Sequence, residues 1–340
     1  MQNTNHSLKQ VILSGIRRTL IKMGTATKVE LSKKLDISFP TISKFLAQME
    51  QEGEIVLVGL DDSSGGRRAK RYSYNTEYML GLAIYLEKDG TYYTLYNCKG
   101  EVHKEEKWES VLKEDGISLL TNLISSLLND NSRIKSISIG VPGSVDHGRI
   151  FFIPGYEAFK NFHLKEYYEK LFSMPVKVEN DMNAAVLGYY YRNGIKKNQS
   201  LVYMYSGQNG PGAGFMINGD VVRGSSFFAG EISFIPITDT ENFGQALVNQ
   251  RDRDLRTSAN EGRTIDTMSR LIASFVAIIN PHTIIFCSDE VNETLLLKIK
   301  NNSSKYIPSE HLPNLLISDW KRDYLYGLQS LGIELLMYEV

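Results

Sequence analysis

The 340-residue sequence has only two cysteines, Cys98 and Cys287, in separate apolar, strand-like stretches and without Cys-x-x-Cys spacing. That scarcity excludes a disulfide framework and a cysteine-rich zinc site, and two reduced, half-buried thiols are expected. No apolar run approaches the roughly 20 residues that span a bilayer. The polar start MQNTNHSLKQ also lacks the charged-then-apolar pattern of a secretion signal. A cytoplasmic protein with no membrane partner is expected. Net charge is nearly absent too, at −1, yet it is unevenly placed. Residues 1–75 hold 12 Lys and Arg against 7 Asp and Glu, a balance of +5, which leaves 26 against 32, or −6, for the remainder. A basic head on an acidic body implies that the head alone meets a polyanion. What is present, 42% hydrophobic and 23% charged residues, suits two or three globular domains.

The head, residues 1–75, reads as three helices and a hairpin. Leu8, Val11, Ile12, Ile16, Leu20 and Ile21 recur at helical spacing up to Met23-Gly24. Thr27 and Glu30 then form a capping-box pattern for KVELSKKL. After the turn DIS, Ser38 can cap FPTISKFLAQMEQEG, with Pro40 tolerated in the first turn and Ile42, Phe45, Leu46 and Met49 as the apolar stripe. A helix, a tight turn and a second helix with small polar and basic residues near its start is what a helix-turn-helix needs to enter the major groove. Thr41, Ser43 and Lys44 are placed near base edges or phosphates, with Ser38 at the mouth. EIVLVGL and RRAKRYSYN read as wing strands joined by DDSSGG, whose turn presents Arg67 and Arg68 to phosphates or a minor groove. The alternative is a three-helix interaction module with a charged hairpin, and the ordered combination weighs against it.

The body, residues 78–340, interleaves strand-like runs such as YMLGLAIYL, IKSISIGV and HTIIFCS with helical segments such as GISLLTNLISSLLND and LYGLQSLGIELLMYEV. That alternation predicts an α/β fold with mixed sheets, as two similar lobes around a cleft. In this order, SIGVPGSVD, VKVENDMNAAVLGYY, GPGAGFMINGDVVRGSSFFAGEI and IINPHTIIF resemble the ROK family of sugar kinases and sugar-responsive repressors. The resemblance covers the body, and the repressor branch of the family adds a winged helix-turn-helix of this kind. It implies actin/hexokinase-like, ribonuclease H-like lobes.

The resemblance also assigns residues. Asn180-Asp181 match the Asn-Asp pair whose Asp serves a kinase as base and a sensor as a sugar ligand, and Glu231 matches a sugar-contacting glutamate. Pro142-Gly143 and PGYEAF resemble loops that close over the ligand. There Gly155 replaces the usual Asn, and Glu157 is either a substitute hydroxyl acceptor or a surface residue. Tyr156, Phe159 and Phe162 are either sugar-facing or core aromatics.

Other positions depart from the pattern. Phe234 stands where a zinc-ligating His is expected, and IPITDTENFGQALVNQ has neither Cys nor His, so no structural zinc and no other cofactor is expected. The Asp and Gly-Gly-Thr of a phosphate loop are replaced by Ala83, Tyr85 and Leu86. A second phosphate loop reads Gln208-Asn209-Gly210-Pro211, and the adenosine-side glycines are Cys287-Ser288-Asp289. These losses imply a sugar-responsive regulator that binds but does not phosphorylate, with operator DNA and a sugar or sugar derivative as partners. A homodimer or dimer of dimers is expected, joined in part by the apolar C-terminal helix. An active kinase with an added head and a regulator answering to a protein partner are the alternatives.

Overall fold

The computed structural model describes residues 2–61, 68–207, 210–251 and 258–338, with side chains described for 8–61, 68–207, 210–247 and 261–338. The head begins with helix α1 (Gln2–Met23), which starts six residues before the first apolar position of its stripe. Ile12, Ile16 and Leu20 are buried along one face. A short strand β1 (Ala26–Thr27) leads into α2 (Lys28–Leu35). Both bonds of its capping box form: Glu30 N–H donates to Thr27 Oγ1 at 3.2 Å, and Thr27 N–H donates to Glu30 Oε2 at 2.7 Å. Asp36, at φ 54°, turns the chain into α3 (Phe39–Gln51), which Ser38 caps. Strands β2 (Ile55–Leu60) and β3 (Lys70–Tyr74) complete a three-stranded sheet of order β1-β3-β2. Three helices backed by this sheet form a winged helix. The residues that join β2 to β3 lie largely outside those described.

The body contains two five-stranded sheets of one topology. The first lobe has β4 (Leu80–Glu87), β5 (Gly90–Asn97), β6 (Val102–Trp108), β7 (Ile134–Val141) and β10 (Val176–Asn180), in the order β10-β7-β4-β5-β6. The hairpin β8 (Ser144–Asp146) and β9 (Arg149–Phe152), with helices α4 (Gly116–Asp130) and α5 (Leu164–Phe172), belongs to this lobe. The second lobe has β11 (Leu201–Tyr205), β12 (Gly212–Ile217), β13 (Asp220–Val221), β14 (Thr283–Cys287) and β15 (Asn314–Ser318), in the order β13-β12-β11-β14-β15. Helices α7 (Phe243–Arg251), α8 (Ser258–Ile279) and α9 (Glu293–Ser303) accompany it. In each lobe an antiparallel meander of three strands continues into two parallel strands. The two-lobe, ribonuclease H-like body read from the resemblance is the observed fold.

Helices α6 (Asp181–Arg192) and α10 (Trp320–Tyr338) lie between the lobes, α10 against β4, β7 and β10, and α6 against β11 and β12. They meet at backbone distance. A Cβ on Gly188 would stand 1.8 Å from the Asp323 carbonyl oxygen, and one on Gly327 would stand 1.9 Å from that of Ala184. Asp323, fully buried, accepts from Arg192 Nε at 2.8 Å and from the Tyr203 hydroxyl at 2.9 Å, which fixes the register of the pair. The expectation that α10 offers its apolar face to a second copy is corrected here. Tyr324, Leu328, Leu331, Leu335 and Leu336 are all buried within the chain, because α10 has sheet on one side and helix on another. Its last turn reaches the head, where Leu336 and Met337 share one core with Ile16, Leu20, Leu46 and Tyr72. Both cysteines are free and buried, and burial pushes each thiol up to about 12.

Candidate functional site

The candidate effector site is a cleft at the carboxyl ends of the parallel strands β7 and β10, where open α/β sheets usually take ligands. It is lined by Pro142, Gly143 and Ser144 after β7, by Asn180, Asp181 and Asn183 after β10, and by residues 210–213, 223 and 229–231 from the second lobe. Strand β10 ends on Asn180, which is at once its last residue and the cap of α6. Asn180 Oδ1 accepts the Asn183 N–H at 2.9 Å, and Asn180 Nδ2 donates to the Gly143 carbonyl at 3.0 Å. One amide thus ties the two loops of the first lobe together.

Asp181 follows in the first helical position and is only 8% exposed. Its Oδ1 accepts the Met182 N–H at 2.8 Å and Asn180 Nδ2 at 2.9 Å. Burial pushes its carboxyl up to about 7, against the pull of the Met182 N–H, and the nearby Glu231 carboxylate pushes the same way. Glu231 crosses from the second lobe and accepts the Ser144 hydroxyl at 2.6 Å. Its carboxyl is also raised by burial. The chain can hold it there because Gly230, at φ 99°, packs where a Cβ would fall 2.1 Å from the Ala213 carbonyl. Two carboxyls from opposite lobes therefore face one pocket of backbone and small side chains. Such a pair suits the hydroxyls of a polyol.

The structure brings Asn180, Asp181 and Glu231 together. It does not bring Glu157 to them. Glu157 opens the short helical turn Glu157–Phe159 with its side chain 76% exposed and paired with Lys160 at 3.2 Å. With Phe159 in the lobe core and Ala158 packed against it, Glu157 at the start of the turn is left facing outward. Phe162 and Tyr156 also pack against that core, so the aromatic cluster near PGYEAF is chiefly packing. The aromatics that do line the cleft are Tyr205 and Phe227, and Arg223 and Ser144 join them. All four lie within or beside the quoted motifs, but their side chains reach the cleft only through the approach of two lobes.

Aromatic rings fill the region where the resemblance asks for phosphate loops. Tyr85, 4% exposed, stacks on Tyr92 with ring centres 4.6 Å apart and touches Tyr324 at 5.1 Å. Trp320 meets Tyr324 on one side and stacks on Tyr205 at 4.3 Å on the other. Nucleotide phosphates need a cradle of open backbone N–H groups, and these residues do not fit one. Gln208 and Asn209 lie outside the described residues. The zinc site fits no better. Phe234, 54% exposed, packs against Phe228, and no group of three His, Cys, Asp or Glu side chains among the described residues could hold a metal.

In the head, Ser38, Pro40, Thr41, Ser43 and Lys44 line the first turns of α3, with Ser38, Pro40 and Lys44 exposed and Thr41 and Ser43 half-buried. The Ser38 and Thr41 hydroxyls lie 2.8 Å apart, so one of these two contacts is partly engaged within the turn. Arg68 is exposed beside β3, whereas Arg67 and the Gly65-Gly66 turn lie outside the described residues.

Comparison with known proteins gives a family and a fold. A family model described as ROK family matches residues 83–249. The xylose repressor of Caldicellulosiruptor bescii is 30% identical over 244 residues, covering 68% of this chain and 60% of the relative. The chain thus spans less than two thirds of the length of such curated relatives. A crystal structure of a ROK family transcriptional regulator, homologous to the Escherichia coli MLC protein, superposes with a TM-score of 0.71 at 18% identity, covering 97% of this chain and 98% of that one. A ROK hexokinase from Thermus thermophilus matches 75% of this chain and 98% of its own, with a TM-score of 0.59 at 16% identity. At such identities the structural likeness concerns the fold.

Proposed function

We propose that this chain, which carries a ROK family domain over residues 83–249, is a sugar-responsive transcriptional repressor in which the body senses and the head binds operator DNA. The observation that carries the reading is the continuity between cleft and head. Helix α6 starts at Asp181 in the cleft and touches α10 at backbone distance through Gly188 and Gly327. Helix α10 starts with Trp320, stacked on Tyr205 of the cleft, and ends with Leu336 and Met337 in the head core. Arg18 of α1 lies over the Tyr338 ring at 4.4 Å. A sugar that draws Asp181 and Glu231 together acts on α6, and rigid packing passes that displacement to α1. The sugar must favour the arrangement that binds DNA less well, since a ligand shifts an equilibrium only by its differential affinity.

The body acts as a sensor and not as a kinase. Asp181 has the position and raised basicity of a general base, but the stacked Tyr85 occupies a position where the resemblance asks for a phosphate-loop glycine. The protein works in the cytoplasm as a homodimer, because two heads spaced one helical turn apart supply the affinity one lacks. The test is operator binding by the full chain while a sugar panel is titrated in, run beside a coupled ADP-release assay. One sugar is expected to release DNA without turnover. ADP release that disappears in Asp181→Asn would establish a kinase instead. DNA release by none of the sugars would remove the sensor reading.

A further inference from the structure

A second cavity adjoins the cleft and has the opposite chemistry. The two share Val145, Arg223 and Phe227 as a common wall. The cleft presents Asp181 and Glu231, whereas the neighbour is lined by His147, Lys165, Lys177 and Arg223, with Glu179 as its one carboxylate. That carboxylate is already committed. Glu179 Oε2 accepts Arg223 Nη2 at 2.5 Å, and Oε1 accepts the Asn180 N–H at 3.0 Å and Asn183 Nδ2 at 3.2 Å. Lys165 pairs with Glu169 at 3.4 Å, but Glu169 also accepts the Val176 N–H. His147 stands 3.9 Å from Asp146, which Arg149 holds at 3.2 Å. Lys177 has no carboxylate within ion-pair distance among the described residues. Arg223 and Lys165 thus keep ion pairs with Glu179 and Glu169, and Lys177 is the cation of this cavity whose charge no carboxylate among the described residues neutralises.

The wall between the compartments is built at a conformational cost. His147 and Phe227 are both left-handed, at φ 48° and 57°, a region that bulky residues rarely occupy. Their rings meet edge to face at 5.1 Å. Gly148, at φ 90°, follows His147, and a Cβ there would lie 2.3 Å from the Lys165 side chain. The Gly148 carbonyl accepts the Lys165 N–H at 3.2 Å, so the turn carrying His147 is pinned to one of the cavity's cations. Phe227, which lines both cavities, therefore stands at their boundary, with the exposed His147 ring against it on the side of the second cavity.

The geometry points to a phosphorylated sugar as the effector, with its ring hydroxyls on Asp181 and Glu231 and its phosphate beyond Phe227 against Lys177, Lys165 and Arg223. The inference rests on the sugar-sensor reading and narrows it. A phosphate dianion gives Lys177 the partner it lacks, and its several oxygens can meet more than one of these cations at once. A uronate carboxylate carries half that charge.

Calorimetry on the full chain tests this with matched sets: hexoses and pentoses, their terminal phosphate esters, and the corresponding uronic acids. One ester is expected to bind about ten-fold or more tighter than its neutral parent, with a preference that weakens as salt is added. In the double variant Lys165→Gln, Lys177→Gln the ratio of ester to parent affinity is expected to fall towards one. The parent's own affinity serves as the check on folding. A parent that binds as tightly as its ester overturns the anion subsite and leaves sugar sensing in place. A uronate preferred to the ester overturns the phosphate class, and a ratio unchanged in the double variant overturns the location. Binding by no member of any set removes the sensor reading together with the subsite.

Discussion

At the residue scale the sharpest quantity is the acidity of Asp181. Its carboxyl sits at about 7 in the folded chain against an ordinary 3.8, because burial penalises the anion. A group whose folded value is raised contributes stability that is complete below its unfolded value and lost as pH rises through the folded one. Thermal stability should therefore decline between about pH 4 and pH 7 on this account, with Glu231 acting in the same direction. In Asp181→Asn that decline should flatten, and the variant should melt higher than the parent chain at pH 8. Sugar hydroxyls donating to the carboxylate favour its ionised form, so effector binding should strengthen through pH 7 and release a proton. Calorimetry in buffers of different ionisation enthalpy reads that proton directly. In the head, Arg68→Ala should weaken binding to all DNA sequences alike and lower the salt slope by about 1. Lys44→Ala or Thr41→Ala should instead alter which operator is preferred. Equal loss on every sequence from both groups would contradict that division.

At the scale of elements the decisive contact is the α6–α10 crossing. Two helices approach this closely only where side chains are missing, and Gly188 and Gly327 supply that space. Gly327→Ala places a methyl 1.9 Å from the Ala184 carbonyl oxygen, a backbone atom that cannot swing aside. Overpacking of this kind costs about 1–3 kcal/mol, and the denaturant midpoint should fall accordingly. Because α6 carries Asp181 at its first turn, the same substitution should loosen effector binding, while Gly262→Ala, in open space on α8, should leave effector binding unchanged and raise the midpoint slightly, by up to about 1 kcal/mol of helix propensity.

At the scale of the whole molecule the head is not a tethered bead. Its core takes in Met79 and Cys98 from the start of the body and Leu336 and Met337 from α10. The buried pair of Arg17 and Glu54, 2.5 Å apart, holds α1 to the base of the wing. Truncating Leu336 to Ala removes a fully buried side chain from this joint and should cost about 2–5 kcal/mol. It should also weaken communication. Linkage requires that a sugar raising the DNA dissociation constant by some factor has its own constant raised by that factor when DNA is bound. Measuring both in the parent chain should give matching factors, and in Leu336→Ala both should shrink towards one.

Local rules set much of this protein, and they were legible. The capping box at Thr27 and Glu30, the Ser38 cap and the span of α4 follow from contacts within a few residues, so short-range chemistry was enough. Strand β6 was not legible. VHKEEKW is exposed along its length and joins the sheet only because β5 offers an edge. Asn180, Asp181 and Glu231 could be named from ordered motifs only through the resemblance: the first two stand where a strand enters a helix, and Glu231 precedes the short turn Ile232–Phe234 of the other lobe. Tyr205, Arg223 and Phe227 could not, since their role depends on two lobes more than a hundred residues apart in places meeting across α6 and α10. Glu157 faces outward for the same reason: which residues of the turn Glu157–Phe159 are buried is settled by the lobe core. The sequence by itself determined the winged head, the paired lobes and the loss of the phosphate-loop glycines, all carried by local pattern. Only the tertiary structure decided that the C-terminal helix is an internal link between cleft and head, because that depends on which faces three packed layers leave open.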